Sequence, residues 1–547
     1  MSISQINSDQ RVYGPPNPAI PGKPVEYFVN PLGIQSIVLS AVELGSSTAL
    51  TTDTLQAFSV NVNLKPQAGA SGSIVFPLLQ GMGFVTAVYK DLQPLIQTGV
   101  LFDTVTAAGS PQAGVYKYQI TLKDGKNWLL YAVPADGADP GFQLLSSSML
   151  RGPIAFTGFI QIAKNPDGTV GETIYDASAG VYATAADIAG SVDNAVGTYS
   201  LTWAKAGHTA NPLLMFALPH HMESFDSTTR TQSTNIQLQT TTKGIATAIM
   251  ADSWLLVESN LPTDMGFAPW SPATRSAKSL STTAQLVIQP VASSEVSQNM
   301  AEQTDLDSMY FSGKALSKFA IIVYTISKLT HDPDLATAGL LNLKDAFARF
   351  ANNSQIYPLV YDTAWKGVVS TGSFVTGDPN QDFGNTYYND HHFHYGYFIH
   401  TAAIIGSLDP DWLAANTNWV NMLVRDAGNP SDQDALFPFS RMFDWYHGHS
   451  FAKGLFESAD GKDEESSSED AFFAYAIKMW GRTTGDASME ARGNLMLSIL
   501  ARSLQNYFLL NSTNVNQPAN FIENKATGIV SSQRRRHPLL CTIRYFD

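Results

Sequence analysis

Hydrophobic and polar positions divide this chain into two halves of different periodicity. Over about the first 200 residues, short runs rich in Val, Ile, Phe and Tyr are separated by Gly, Pro and Asp, which predicts an antiparallel β-sandwich. Residues 60–64 alternate apolar and polar side chains, as a half-buried strand does. The predicted strands are residues 34–44, 58–64, 72–79, 116–122 and 128–133.

From about residue 305 onwards the apolar positions follow a helical period. In residues 313–328, Leu316, Phe319, Val323 and Ile326 recur every three or four positions, as one buried face of a helix does. The other predicted helices are residues 341–351, 395–407, 412–426, 469–480 and 488–510.

The length of 547 residues is too great for one core and predicts two or three domains. Between the two halves, the Ser/Thr/Gln-rich residues 227–242 predict a loop or connector. Residues 282–288 predict one more strand.

Composition and charge exclude several classes of function. The net charge of −14 repels phosphate backbones, so no nucleic-acid partner is expected. The sequence has no run of about 20 apolar residues, so no membrane-spanning helix is expected. The single cysteine, Cys541, rules out an intramolecular disulfide and a cysteine-based zinc site.

Residues 387–400 contain one acid, four histidines and four tyrosines. If a helix begins near Asp390, then Asp390 and His394 lie on one helix face, a carboxylic acid with a polar partner of the kind a glycosidase needs. Asp390 could equally be a helix N-cap, and packing or a surface position is the favoured interpretation for His391, His392 and His400. A zinc or iron site remains a weaker alternative, since no recognised ligand spacing occurs.

A second acidic cluster lies at residues 463–470. Glu465 and Glu469 are four residues apart, and Ser466 with Glu469 also fits a capping box. Asp463, Glu464 and Glu465 could form a solvated acidic turn or project into a cleft, and the sequence leaves both interpretations open.

Together the two segments supply one lone acid and a carboxylate cluster, each at the start of a predicted helix. Glycoside hydrolysis requires such a pair, and an inverting enzyme holds the two carboxyl groups roughly 6.5–9.5 Å apart to admit a water. Tyr310 and Lys314 are also four residues apart at a predicted helix start, which taken alone indicates only a helix N-terminus.

Motifs along nearly the whole chain resemble those of glycoside hydrolase family 81, the endo-β-1,3-glucanases of fungi and some bacteria. In the β half they are Phe76-Pro-Leu-Leu-Gln-Gly-Met-Gly-Phe-Val-Thr-Ala-Val-Tyr89, Asp124-Gly125, Trp128-Leu-Leu-Tyr131 and Thr242-Lys-Gly244. In the helical half they are Tyr310 with Gly313-Lys314, Tyr361-Asp362 with Trp365, Asn389-Asp-His-His-Phe-His-Tyr-Gly-Tyr397, Asp444-Trp445 with Gly448-His-Ser450, and Glu465-Ser-Ser-Ser-Glu469.

The resemblance implies a multidomain β and α fold in three parts. These are an N-terminal β-sandwich (residues 1–225), a small α/β linking domain (226–300) and a C-terminal (α/α)6 barrel (301–547). It also implies a monomer without cofactor or metal, acting on β-1,3-glucan outside the cell or in the cell wall.

The resemblance further implies hydrolysis of internal β-1,3-glucosidic bonds with inversion. Asp390 would be the general acid, Glu465 the general base that activates water, and Glu469 would assist the base. Four residues would hold the glucan chain: Tyr310, Lys314, His394 and Asp463.

The chain departs from the family pattern at both ends, and we expect a truncated form. The first nine residues lack the basic and apolar regions of a secretory signal, which leaves a cytoplasmic location open. The last 17 or so residues, from Ser531, are basic, show no helical pattern and replace expected barrel helices. The alternative function is therefore a catalytically impaired glucan-binding protein.

Overall fold

The computed structural model describes residues 1–4, 11–16, 25–29, 34–56, 58–277, 279–456, 462–517, 519–522, 524–527 and 530–531. Cys541 and almost all of the atypical C-terminal segment lie outside these residues. Within the described part of the chain, no helix has the length and apolar character needed to span a membrane.

Antiparallel strands build the first part of the described chain. They are β1 (Ser2–Ile3), β2 (Arg11–Pro16), β3 (Val25–Val29), β4 (Ile37–Ala41), β5 (Ala49–Gln56), β6 (Ser59–Lys65), β7 (Ser73–Leu79), β8 (Val85–Leu92), β9 (Pro94–Gln97), β10 (Phe102–Ala107), β11 (Tyr116–Leu122), β12 (Asn127–Pro134), β13 (Gln143–Ser146), β14 (Met149–Arg151) and β15 (Phe156–Asn165). One sheet has eight strands in the order β10-β11-β12-β15-β8-β7-β6-β5, and a second has five in the order β1-β4-β9-β14-β13. The five strands predicted from the sequence are confirmed as β4, β6, β7, β11 and β12.

The two large sheets share one apolar core. Leu39 of β4 and Ile96 of β9 are fully buried in the smaller sheet, and Ile74, Ile120 and Ile160 are fully buried in the larger one, all in the same cluster. Strands that alternate inward apolar and outward polar residues explain this arrangement, since successive side chains point to opposite faces of a sheet.

A third region follows, with short helices and two three-stranded sheets. Its elements are α1 (Gly168–Ser178), β16 (Val181–Asp193), β17 (Val196–Gly207), β18 (Leu214–Ala217), α2 (Pro219–Ser224), α3 (Ser227–Arg230), β19 (Ser233–Gln239), β20 (Ile245–Met250) and β21 (Ser253–Glu258). The prediction of a loop at residues 227–242 was therefore wrong. β19 buries Ile236 completely but turns mostly polar residues outward, so composition concealed a strand.

The rest of the described chain is mainly helical, with short two-stranded pairs between the helices. The helices are α4 (Thr282–Val296), α5 (Met300–Gln303), α6 (Met309–Thr325), α7 (Pro333–Ala351), α8 (Gly372–Thr376), α9 (His391–Leu408), α10 (Pro410–Gly428), α11 (Ser467–Thr484), α12 (Ala487–Tyr507) and α13 (Ala519–Ile522). The short strands are β22 (Trp270–Ser271), β23 (Arg275–Ser276), β24 (Leu359–Asp362), β25 (Gly367–Ser370), β26 (Phe443–Asp444), β27 (His449–Ser450), β28 (Asp463–Glu464) and β29 (Val530–Ser531).

The six long helices predicted from periodicity are confirmed as α6, α7, α9, α10, α11 and α12. The strand predicted at residues 282–288 was wrong, because these residues begin α4. The Ser281 hydroxyl accepts a hydrogen bond from the Ala284 amide (3.2 Å) and so caps the helix. This local cap outweighs the β preference of the β-branched residues that follow it.

Helix α9 lies at the centre of the helical half. It packs against α6, α10 and α11, and nearly all of its residues are buried, including Tyr395, Ile399 and Ala403. A helix that is apolar on every side needs neighbours on every side. The start of α9 is thereby held next to the starts of α6 and α11.

Candidate active site

Asp390 occupies the N-cap position of α9, yet its side chain makes no capping hydrogen bond. Its backbone is left-handed (φ 56°), and its amide donates to the Ala452 carbonyl at 2.9 Å. Burial raises the pKa of Asp390 to about 7; nearby Glu465 and Asp463 raise it as well, while His394 opposes them. This carboxyl group therefore keeps its proton to near neutral pH.

His394 lies one helical turn after Asp390 and is completely buried. Its Nδ1 lies 2.9 Å from the Asp390 carbonyl oxygen, and its Nε2 lies 3.2 Å from the Asp382 carboxylate. Burial alone would lower the pKa of His394, but the Asp382 carboxylate raises it to about 9. Both nitrogens of His394 therefore lie within hydrogen-bond distance of protein oxygens.

Asp382 is a functional candidate that the sequence did not reveal. Besides His394, its carboxylate accepts hydrogen bonds from the Ser308 hydroxyl (2.5 Å) and the Met309 amide (2.9 Å) at the start of α6. It therefore joins the first turn of α6 to the first turn of α9. Its backbone is left-handed (φ 51°) in an irregular turn, and no sequence pattern signals such a position.

Glu469 lies in the first turn of α11, where Ser466 is the N-cap. The Ser466 hydroxyl accepts from the Glu469 amide (3.3 Å), which confirms the predicted cap. The Glu469 carboxylate does not complete a capping box. It accepts hydrogen bonds from the hydroxyls of Tyr310 (2.7 Å) and Tyr397 (2.5 Å) instead.

Tyr397 belongs to the site but was given no role from the sequence. It lies seven residues after Asp390, which places both on one face of α9, and this spacing could have revealed it. Lys314 is exposed on α6; its Nζ donates to the Tyr310 hydroxyl (3.1 Å) and lies 3.9 Å from the Glu469 carboxylate. Tyr310 and Lys314, the pair singled out in the sequence, therefore both lie next to the Glu469 carboxylate.

Asp463, Glu464 and Glu465 differ sharply in exposure. Glu465 is exposed, Asp463 is half-buried and Glu464 is fully buried. Asp463 and Glu464 form β28, which pairs with Ser531 and Val530 of β29. The segment is therefore an ordered strand rather than a wholly solvated acidic turn.

The Tyr310 hydroxyl links the starts of α6 and α11 through its hydrogen bond to Glu469, and Tyr397 of α9 bonds to the same carboxylate. Burial raises the pKa of Tyr310 well above its usual value, and the charges of Glu469, Glu465 and Asp390 raise it further. Segments that begin α6, α9 and α11 thus meet at a single site.

The histidines of the α9 segment point to different partners rather than to one centre. His391 pairs with Asp426, His392 with Glu464 and His394 with Asp382, while His400 approaches the Ser317 hydroxyl (3.0 Å). His391, His392 and His400 are buried, which confirms a packing role for them. Among the described residues, no group of three or more His, Cys, Asp or Glu side chains is arranged to hold a metal ion.

A cavity of 480 Å³ lies away from these carboxylates. It opens between β16, β17 and the first turns of α12, with Trp445, Phe439 and Arg492 in its walls. None of the candidate catalytic carboxyl groups lines it, so it is distinct from the candidate site at the starts of α6, α9 and α11.

Two family models match the chain in succession. The glycosyl hydrolase family 81 N-terminal domain matches residues 1–272, and the glycosyl hydrolase family 81 C-terminal domain matches residues 279–545. The chain therefore belongs to glycosyl hydrolase family 81.

Curated relatives carry glucanase names. A glucan endo-1,3-beta-D-glucosidase of Arthroderma benhamiae is 58% identical over 98% of this chain and 59% of its own length. A primary septum glucan endo-1,3-beta-D-glucosidase of Schizosaccharomyces pombe is 42% identical over 93% of this chain and 49% of its own length. Glucan endo-1,3-beta-D-glucosidase 2 of Saccharomyces cerevisiae is 38% identical over 94% of this chain and 66% of its own length. The chain thus spans between about half and two thirds of these relatives.

A solved structure shares the fold. It is a glycoside hydrolase family 81 protein of Clostridium thermocellum, 21% identical, with a TM-score of 0.71 over 93% of this chain and 69% of that chain. The expected mixed fold of antiparallel β-sheets and α-helices is confirmed.

Proposed function

We propose that this chain hydrolyses internal β-1,3-glucosidic bonds of β-1,3-glucan with inversion at the anomeric carbon. The observation that carries the proposal is the contrast between two neighbouring carboxyl groups. Asp390 has its pKa raised to about 7, whereas Glu465 is exposed beside it. A protonated acid and an open carboxylate at one cleft are what glycoside hydrolysis requires. The names of the curated relatives support the same substrate.

In the proposed reaction Asp390 is the general acid and Glu465 the general base. Asp390 gives its proton to the glycosidic oxygen as the bond from that oxygen to C1 breaks. Glu465 takes a proton from a water, whose oxygen bonds to C1 from the opposite face of the sugar. The product carries an α-anomeric hydroxyl, and one proton must return to Asp390 before the next turnover.

Glu469 assists by fixing the water or the base, and it is itself held by two tyrosine hydroxyls. Tyr310, Lys314 and Asp463 hold the glucan chain in this proposal. Lys314 suits that role because its side chain is exposed above the two tyrosine rings, 4.9 Å and 5.8 Å from their centres. His394 completes the four residues proposed to hold the glucan chain, and its Nδ1 also lies 2.9 Å from the Asp390 carbonyl oxygen.

We further propose the three-part layout implied by the family: a β-sandwich over residues 1–225, a linking domain over 226–300 and a helical barrel over 301–547. The two stacked sheets and the central position of α9 support this division. A monomer acting on glucan outside the cell or in the cell wall is part of the same proposal. No observation favours the glucan-binding alternative without turnover.

The test is hydrolysis of linear β-1,3-glucan, followed by reducing ends and by the anomer of the fresh product. We expect oligosaccharides as α-anomers from the wild type, and a loss of about 10²–10⁴-fold in kcat for both Asp390→Asn and Glu465→Gln. Binding of glucan by a folded wild type without release of reducing ends would favour the impaired alternative. Product as β-anomers would contradict inversion.

A further inference from the structure

Glu464 is a fully buried acid that directly precedes Glu465, the proposed base. It is the last residue of β28, whereas Glu465 lies just outside that strand and is exposed. The hydrolytic reaction proposed above leaves Glu464 without a role.

The side chain of Glu464 reaches the helix that begins at Asp390. Its two carboxyl oxygens lie 3.1 Å and 3.3 Å from Nε2 of His392, which is fully buried in the first turn of α9. Asp390 is only two residues before His392. This contact therefore joins the strand before Glu465 to the helix start that carries the proposed acid.

Two successive backbone hydrogen bonds join the same two segments at a second point. The Asp390 amide donates to the Ala452 carbonyl (2.9 Å), and the Ala452 amide donates to the Asp463 carbonyl (2.7 Å). Asp463 is the residue before Glu464. The two connections together fix both the separation and the rotation of the strand relative to α9.

We propose that Glu464 is a positioning residue for the reaction, holding Glu465 at a fixed place relative to Asp390 through its hydrogen bond to His392. This inference rests on the hydrolytic function proposed above. An inverting enzyme must keep room for one water between its acid and its base, so a shift of this strand would misplace the attacking water.

The surroundings of Glu464 determine which partner carries the proton. Burial raises the pKa of Glu464 well above its usual value, and four neighbouring carboxylates add to this: Asp470, Asp390, Asp463 and Glu469. Burial also lowers the pKa of His392 well below its usual value, and His391 and His394 lower it further. Both shifts favour a neutral pair, in which a protonated Glu464 carboxyl group is hydrogen-bonded to an uncharged imidazole.

A neutral pair and an ion pair predict different effects of replacing the acid by an amide. In a neutral pair, the amide of Glu464→Gln can hydrogen-bond to His392 Nε2 as the carboxylic acid does, because both groups hold a donor and an acceptor. In a buried ion pair, the same change would leave a charged imidazole without its counterion, which is costly. Glu464→Leu has a similar size but cannot form a hydrogen bond, and Glu464→Asp keeps the carboxyl group but shortens its reach.

The experiment measures kcat, KM and product anomers on linear β-1,3-glucan for the wild type and these three variants, with Asp390→Asn and Glu465→Gln alongside. We expect Glu464→Leu and Glu464→Asp to lose about 10–100-fold in kcat with KM little changed, because the reacting groups are misplaced. Glu464→Gln should stay within about threefold of the wild type, since its hydrogen bond is preserved.

Thermal unfolding between pH 4 and pH 8 supplies a readout independent of catalysis. The folded pKa of Glu464 lies above its unfolded value, so the stability it contributes is present at low pH and is lost as pH rises. Glu464→Gln cannot ionise at this position. The difference between its Tm and that of the wild type should therefore shift in favour of the variant as pH rises.

Equal loss of kcat in Glu464→Gln and Glu464→Leu, or wild-type kcat in both Glu464→Leu and Glu464→Asp, would overturn the positioning role. If Glu464→Leu does not fold, the contrast between Glu464→Asp and Glu464→Gln decides. An active wild type whose Asp390→Asn and Glu465→Gln variants are inactive upholds the proposed function whatever Glu464 does. A folded wild type without activity overturns both.

Discussion

The two ends of α9 carry the same residue type at the same kind of position, with opposite properties. Asp390 precedes α9, and Asp409 ends it and is the N-cap of α10. The Asp409 carboxylate accepts from the Trp412 amide (3.0 Å) and pairs with Lys344 (2.5 Å), and these contacts lower its pKa. Asp390 accepts no capping bond, and burial raises its pKa to about 7.

The difference shows how one fold shifts the pKa values of two aspartates at helix starts in opposite directions. A carboxylate that caps a helix is stabilised in its charged form and is of little use as an acid. The left-handed backbone of Asp390 turns its side chain away from the free amides of α9, among other acids. The interpretation of Asp390 as an ordinary N-cap is thus correct for its position and wrong for its contacts.

The largest expected effect separates the two aspartates by activity. Asp390→Asn should lower kcat on β-1,3-glucan by about 10²–10⁴-fold, because an amide cannot protonate the leaving oxygen. Asp409→Asn, about 27 Å away along α9, should leave kcat unchanged. Steady-state kinetics of both variants, each checked for folding by circular dichroism, make the measurement. Similar losses of kcat in Asp390→Asn and Asp409→Asn would contradict a catalytic role that only Asp390 has.

A smaller effect is expected at a third helix start, that of α11. Ser466 caps this helix, and the Glu469 carboxylate accepts a hydrogen bond from the Tyr397 hydroxyl. Tyr397→Phe removes one hydrogen bond to that carboxylate and should cost about tenfold in kcat, in keeping with one bond to a charged group. Tyr387→Phe is a matched control, since that ring packs edge-on against Phe456 rather than against Glu469. A loss in the control equal to that of Tyr397→Phe would contradict the role.

A third expected effect is on stability, and its sign differs between the aspartates. The folded pKa of Asp390 is raised, so the stability that this group contributes is lost as pH rises through about 7. The free energy of unfolding of Asp390→Asn should therefore exceed that of the wild type by about 1–3 kcal/mol at pH 8 but not at pH 4. The folded pKa of Asp409 is lowered, so Asp409→Asn should lose about 1 kcal/mol or less at pH 8.

Urea unfolding of both variants at pH 4 and pH 8 measures these differences. A neutral or destabilised Asp390→Asn at pH 8 would show that the carboxyl group ionises in the folded chain at no cost. In that case the contrast between the two helix starts would lie in geometry alone.

Much of the fold was predictable because its signals are local. The long helices followed from apolar spacing, and the strands of the large sheets from short β-rich runs. The two wrong predictions, at residues 227–242 and 282–288, have one physical cause: the contacts of individual residues outweighed the preference of the local composition. A polar outer face concealed β19, and a serine cap turned a β-branched run into α4.

The candidate site was only partly predictable. The sequence supplied Asp390, Glu465 and Glu469, because acids at helix starts and a family motif mark them. Asp382 and Glu464 carried no such signal, since a left-handed turn and full burial of an acid depend on residues far along the chain.

By itself the sequence determined the residue types, the periodicities and the family of this protein, since these are properties of neighbouring positions. Only the tertiary structure decided which carboxyl group keeps a proton, because desolvation and the charges of distant segments set that balance. It also placed both ring nitrogens of His394 within hydrogen-bond distance of protein oxygens. The chemistry of Asp390 arises where segments from α6, α9 and α11 meet.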